Sequence, residues 1–443
     1  MSTEDPVIAA LAEVARRLFP TIYAHPVDAT GMPLRNPEAV HAAYEVGRGE
    51  PGQRAIEAMD ADDVLSRLLI PTANADEPAN GWRWGAMIEE NTGNAWRRWT
   101  FELPGLLVES AARNVLATGG STETVEPIIA ELPTVLDEIR QLISGQSVQA
   151  YVGAAFSGCR LPDGTRLQTP FGVLRCAAEP ERSHRPDRSP EACTILEAAF
   201  PLTWKLGERD EGARLKISEP FTAAQEALTR LPLAGLLALG RHAVPRMTWF
   251  YVRAPLRNWG PAGWPSAPSW TGESHQEPEG IQHSKQVDLV EWCRLVDAHY
   301  QPSVSIAERR VLSAITDRPN SAEDALIDAV IAWENLFGHG SNVEMTIRVT
   351  TALAILLEPE GAKRTALASD LRKIYGDRST VAHGGTLSAK RNLSKTRDRA
   401  IDVAVNALRM LFRDHPDLLA DHDRGMRLLL AGTPVAATDR IED

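Results

Sequence analysis

Cysteine and lysine are scarce in this chain, and no long apolar run interrupts it. The four cysteines, Cys159, Cys176, Cys193 and Cys293, are scattered through 443 residues. They are too few and too dispersed for a disulfide framework, and their spacing matches no short metal-ligand pair. They read as reduced structural thiols. The longest apolar stretch, LPLAGLLALG at 231–240, is too short to cross a bilayer. The opening residues, MSTEDPVIAALAEVARRLF, are acidic and amphipathic, with no basic stretch ahead of an apolar core. No signal peptide and no membrane partner are therefore expected, and the expected compartment is the cytoplasm. Only seven of the 47 basic residues are lysine, a bias of codon usage rather than of function. No H-E-x-x-H, P-loop or nucleophile elbow occurs, so neither a metal nor a cofactor is expected. The net charge of −12 argues against a protein that coats nucleic acid along its whole surface, but leaves room for a local basic site.

What is present is mostly helical periodicity. The chain is long enough for two or three domains. Residues 1–147 read as mainly helical, with apolar stripes over 6–19, 53–70 and 122–144. Trp82, Trp84, Trp96 and Trp99 interrupt that pattern. Such a cluster either stacks bases or a ligand, or packs as an aromatic core. Residues 148–218 alternate in short runs around a turn at Asp163–Gly164, which predicts a β-hairpin or small sheet. Residues 219–253 return to helix, interrupted at Pro232. Residues 254–285 are rich in Pro, Gly and Trp and read as a linker. Residues 286–430 carry repeated apolar stripes joined by short loops, the pattern of an antiparallel helical bundle, with Gly338 and Gly376 placed where helices stop. A tail follows at 431–443. The expected class is α+β, mostly helical: an N-terminal region of helices plus a small β-sheet, then a C-terminal bundle.

The stretch IYGDRSTVAHGG (374–385) stands out. Leu371, Ile374, Tyr375, Val381 and Ala382 share a stripe with Arg378. A charge on such a stripe needs a partner or a function, and Glu344 or Glu334 offers the partner. His383 lies five residues on, ~140° around an ideal helix, so one chain does not readily converge the two. Two copies across a two-fold axis can. Gly384 and Gly385 end the helix, leaving the imidazole at the negative end of the helix dipole. Between Gly361 and Arg399 there are ten basic residues and three acidic ones, net +7. Arg372, Lys373, Lys390, Arg391 and Lys395 are the candidate polyanion-binding residues among them.

Arg-x4-His at a helix end resembles the motif of HEPN domains (higher eukaryotes and prokaryotes nucleotide-binding), and the wider pattern resembles the Apea-like group. Ala307 to Arg310 match its A-x-x-R segment. Asp324 and Asp328, then Trp333–Glu334–Asn335–Leu336, match the next helix, with tryptophan where an aliphatic residue is usual. Glu344 and Arg348 match E-x3-R. Tyr375, Arg378, Ser379, His383 and Gly384 match Y-x2-R-S-x3-H-G. The resemblance implies a HEPN-like bundle and a metal-independent ribonuclease acting on tRNA or mRNA. In it the RNA 2′-OH attacks the adjacent phosphate, His383 acts as acid or base, and Arg378 stabilises the charged phosphorane. Ser379, Tyr375, Glu344, Arg348, Glu334 and Asp328 are its supporting set. The resemblance also implies a homodimer with the motif at its interface, and a role as a toxin or anti-phage effector released by a phage-derived or nucleotide trigger. The preceding region, 1–253, is then the expected sensor. The alternative is a non-catalytic module of the same fold that binds a nucleotide or a partner protein.

Overall fold

The computed structural model describes residues 5–20, 37–69, 85–118, 120, 122–177, 193–207, 216–256, 280–316, 321–338, 344–359, 361–385 and 392–432. The protein is mostly helical, with small antiparallel sheets. It divides into two compact units, residues 1–229 with 247–267, and residues 230–246 with 268–443. Most of the expected linker, 257–279, lies outside the described residues.

In the first unit, α1 (Pro6–Leu18) begins with proline in its first turn, where a missing N–H does no harm. Asp5 caps it, accepting from the Val7 N–H at 2.9 Å. Then come α2 (Pro37–Arg48) and α3 (Glu50–Asp60). The apolar pattern expected to carry one helix through 53–70 breaks at Asp60, and a short 3-10 turn takes up Leu65–Leu68. Strands β1 (Met87–Glu90) and β2 (Ala95–Trp96) follow, a small β element within the mainly helical 1–147. Next are α4 (Leu103–Ala117) and α5 (Glu126–Ile143). Arg140 of α5 closes on Asp5 at 2.9 Å and on Asp62 at 2.7 Å, tying the ends of three segments together. Trp96 packs edge-on against Trp204, with centroids 5.9 Å apart, and donates its indole N–H to Glu90. Trp99 stacks on Phe101. These two tryptophans are thus packed on aromatics of their own chain; Trp82 and Trp84 lie outside the described residues.

The expected β region is present as β3 (Val148–Ser157), β4 (Arg166–Thr169), β5 (Gly172–Cys176), β6 (Thr194–Leu202) and β7 (Trp204–Gly207). Asp163–Gly164 does turn, with Gly164 at φ +72°, but it joins β3 to β4, which are not neighbours. The hairpin is β4–β5, closed at Thr169–Gly172. The helix α6 (Glu219–Leu239) runs straight through Pro232, correcting the expected break. Leu228, Leu231, Leu233, Leu236 and Leu237 are all buried around it. At roughly 1.5–3 kcal/mol per buried leucine, they outweigh the roughly 3 kcal/mol penalty of a mid-helix proline. Residues 246–253, read as helix, form β8 (Arg246–Arg253). Its sequence RMTWFYVR is aromatic and β-branched, and β8 lies beside β3 in the order β4-β5-β6-β3-β8.

This sheet buries charge. Glu197 stands opposite Gly153 in the β3–β6 register, and the Tyr251 ring lies over Gly153 where any Cβ would strike it. Glu197 accepts from the Tyr251 hydroxyl at 2.7 Å and pairs with Arg253 at 3.2 Å and Arg175 at 3.5 Å. Burial alone would raise its pKa, but the two arginines outweigh it and hold the carboxyl below its ordinary value.

The second unit holds α7 (His283–His299), α8 (Ser305–Thr316), α9 (Ala322–Phe337), α10 (Met345–Leu357), α11 (Ala362–Ala382), α12 (Leu393–Arg413), α13 (Pro416–Ala420) and α14 (Arg424–Ala431), with the end of α6. Helix α9 is its axis. It packs against α8, α10, α11, α12 and α14, and is capped by Ser321 accepting from the Asp324 N–H. Trp333 is fully buried and donates its indole N–H to the Ala400 carbonyl at 3.1 Å, so tryptophan at this position bolts α9 to α12. Arg424 is also fully buried. Its guanidinium donates to the carbonyls of Leu336, Leu418, Leu419 and Asp421 and to Ser303 Oγ, drawing α9, α13 and the turn before α8 together.

Candidate functional site

The site residues sit on α9, α10 and α11. Leu367, Leu371 and Ile374 bury the inner face of α11, and Gly376 lies within that helix rather than at its end. Tyr375 and Arg378 stand where this face meets the surface. The stripe fades beyond them: Val381 is half-buried and Ala382 exposed. Both polar side chains turn to the same carboxylate. Glu334 Oε1 accepts from the Tyr375 hydroxyl, and Glu334 Oε2 lies 3.5 Å from Arg378 Nη2. Arg378 and Glu334 retain 23% and 25% of their side-chain exposure, so the pair is half-buried. Of the two partners offered by the sequence, Glu334 is the one in place. Glu344 is exposed and holds a left-handed backbone, φ 56°, at the start of α10.

Burial first, then the hydrogen bond and charge of Glu334, push the Tyr375 hydroxyl up to about 12. It therefore stays protonated at neutral pH and serves as a donor to Glu334, not as a base. Thr346 of α10 also hydrogen-bonds Tyr375. It belongs to the cluster, and nothing in its sequence context marks it.

The helix end is a Schellman motif. Gly385 N–H donates to the Thr380 carbonyl at 2.9 Å, Gly384 N–H donates to Val381 at 2.9 Å, and Gly384 adopts φ +74°. His383 is the C-cap and is exposed to solvent. Ser379, half-buried, accepts the His383 N–H through its backbone carbonyl at 3.2 Å. Within one chain, Arg378 thus turns inward to Glu334 while His383 faces water.

The remaining matched residues assemble nearby, although not in one cluster. Arg310 of α8 binds Asp328 at 2.8 Å, and Ser313 donates to the same buried carboxylate. Asn335 accepts from the Ala307 N–H at 3.0 Å. These contacts lock α8 to α9. Arg348 is half-buried on α10, one turn beyond Glu344. Of the basic residues, Arg372, Lys373 and Lys395 are exposed, while Lys390 and Arg391 lie outside the described residues. Others are already engaged: Arg397 with Asp398, Arg399 with Asp370, and Arg364 with the carbonyls of Glu358 and Gly432.

No group of three potential metal ligands occurs among the described residues, and no helix among them is long and apolar enough to cross a membrane. No family model matches the chain, and neither a curated protein nor a solved structure matches it.

Proposed function

We propose that this chain is a metal-independent RNA endonuclease of the HEPN type. In this reading it acts in the cytoplasm on tRNA or mRNA as a toxin or anti-phage effector, and the region before the HEPN-like bundle restrains it until a phage-derived or nucleotide trigger arrives. The observation that carries the reading is the division of labour along α11. Arg378 is held in place by Glu334, and one turn later a Schellman motif sets His383 in solvent. Arg378 of one copy and His383 of a second copy then make one composite site, so the enzyme is a homodimer.

In that site the RNA 2′-oxygen attacks phosphorus as His383 removes its proton. Arg378 donates to the phosphorane oxygens, and the P–O5′ bond breaks with the proton returned to O5′. The products are a 2′,3′-cyclic phosphate and a 5′-hydroxyl. The purified protein is expected to cleave RNA in the presence of EDTA and to leave these ends. His383→Ala, at an exposed position, is expected to remove cleavage without changing the melting temperature. Equal cleavage by protein and variant would refute the proposal.

The half-buried Arg378–Glu334 pair also favours a second reading, a non-catalytic HEPN module in which the arginine is structural. There Arg378→Ala lowers the melting temperature sharply, and no ribonuclease activity appears under any trigger.

A further inference from the structure

Away from Arg378, the second unit carries a cavity of about 380 Å³ between the end of α10, the start of α11 and the second half of α12. One wall is a stripe of α12 running through Val403, Asn406, Met410 and Arg413, with Arg409 beside it. Leu357 and Leu367 supply apolar surface across from it.

Three arginines line the cavity; Arg399 is paired with Asp370 at 3.4 Å, while Arg409 and Arg413 are fixed by neutral groups. Arg409 Nε donates to the Leu237 carbonyl at 2.8 Å, and its Nη1 reaches Asn406 Oδ1 at 3.4 Å. Arg413 lies over the Trp292 ring, 4.4 Å from the centroid. Among the described residues, neither Arg409 nor Arg413 forms an ion pair. Burial and the neighbouring Arg413 charge push the Arg409 pKa below the ordinary arginine value. Glu358 and Asp414 also line the cavity without bridging either guanidinium.

We propose that this cavity binds a small phosphate monoester with an apolar body. Two adjacent, pre-positioned guanidiniums suit a tetrahedral dianion, whose oxygens accept from both forks; a carboxylate neutralises only one. The apolar part of the ligand lies against Leu357, Leu367 and Met410. The site is separate from Arg378 and His383 and does not rest on the ribonuclease reading.

The test is calorimetric titration of the full chain, near physiological salt, with phenyl phosphate, inorganic phosphate and phenol. Phenyl phosphate is expected to bind more tightly than inorganic phosphate, and phenol not at all. Arg413→Gln is expected to weaken phenyl phosphate binding about tenfold or more. Asn406→Trp, at an exposed position, should block the cavity and abolish binding, with circular dichroism showing both variants folded. No binding by the wild-type chain, equal affinity for phenyl phosphate and inorganic phosphate, phenol binding as tightly as phenyl phosphate, or affinity unchanged in both variants would overturn the proposal.

Discussion

Arg378 and Arg424 show two ways of lodging a guanidinium in a helical unit. Arg424 is wholly enclosed and spends its donors on four carbonyls and a hydroxyl. Removing it strands those acceptors, so Arg424→Met is expected to destabilise by about 3 kcal/mol or more, read from urea unfolding. Arg378 instead shares one carboxylate with Tyr375 near the surface, and in the ribonuclease reading this half-buried pair contributes no more than about 1 kcal/mol to stability. Glu334→Gln is therefore expected to lower RNA cleavage at least tenfold while shifting stability by less than about 1 kcal/mol. Glu308 titrates differently. Burial raises its pKa to about 7, although the Tyr300 hydroxyl donates to it at 2.7 Å and Arg230 is near. In the unfolded chain it ionises near pH 4.3. The folded state thus binds the proton more tightly, and the stability this contributes is lost as pH rises from about 4.3 through 7. Glu308→Gln is expected to flatten the fall in melting temperature across that range; an unchanged slope would contradict the assignment.

At the scale of the element, the end of α11 is the feature on which the site depends. Gly384 at φ +74° closes the Schellman motif and sets His383 as the cap. Gly384→Ala is expected to cost about 1–2 kcal/mol and to reduce cleavage along with it. Much of this unit is legible in sequence because its stripes repeat at the helical period and three of its helices, α9, α11 and α14, stop beside a glycine. Gly376 was the exception, since a glycine inside a helix looks the same as one beyond it until the burial on both sides is known. The strand β8 reads as helix in sequence because RMTWFYVR has no alternation; both of its faces are covered, and a fully covered strand looks like buried helix. At Pro232 the reverse holds: local propensity predicts a break and loses to five buried leucines. The pairing of Arg378 was legible only to a choice between two glutamates, because which of them arrives is decided by the packing of α9 on α11. Thr346 and the arginine-lined cavity needed the fold itself.

At the scale of the whole molecule, net acidity and a basic α11–α12 region go together. The chain carries −12 overall, yet Arg372, Lys373 and Lys395 stand exposed on one stretch. Replacing these three with glutamine is expected to weaken RNA binding and to reduce the slope of log affinity against log salt by about 2–3, as single-strand contacts are lost. A ribonuclease site built from two copies is tested most directly by subunit mixing. Arg378→Ala and His383→Ala chains, each inactive alone, are mixed and allowed to exchange. Half of the dimers are then mixed, and each of these holds one site with both residues intact. Cleavage is predicted to return to about a quarter of the wild-type rate. A mixture as inactive as either variant, beside an active wild type, would contradict a site made of Arg378 from one copy and His383 from the other.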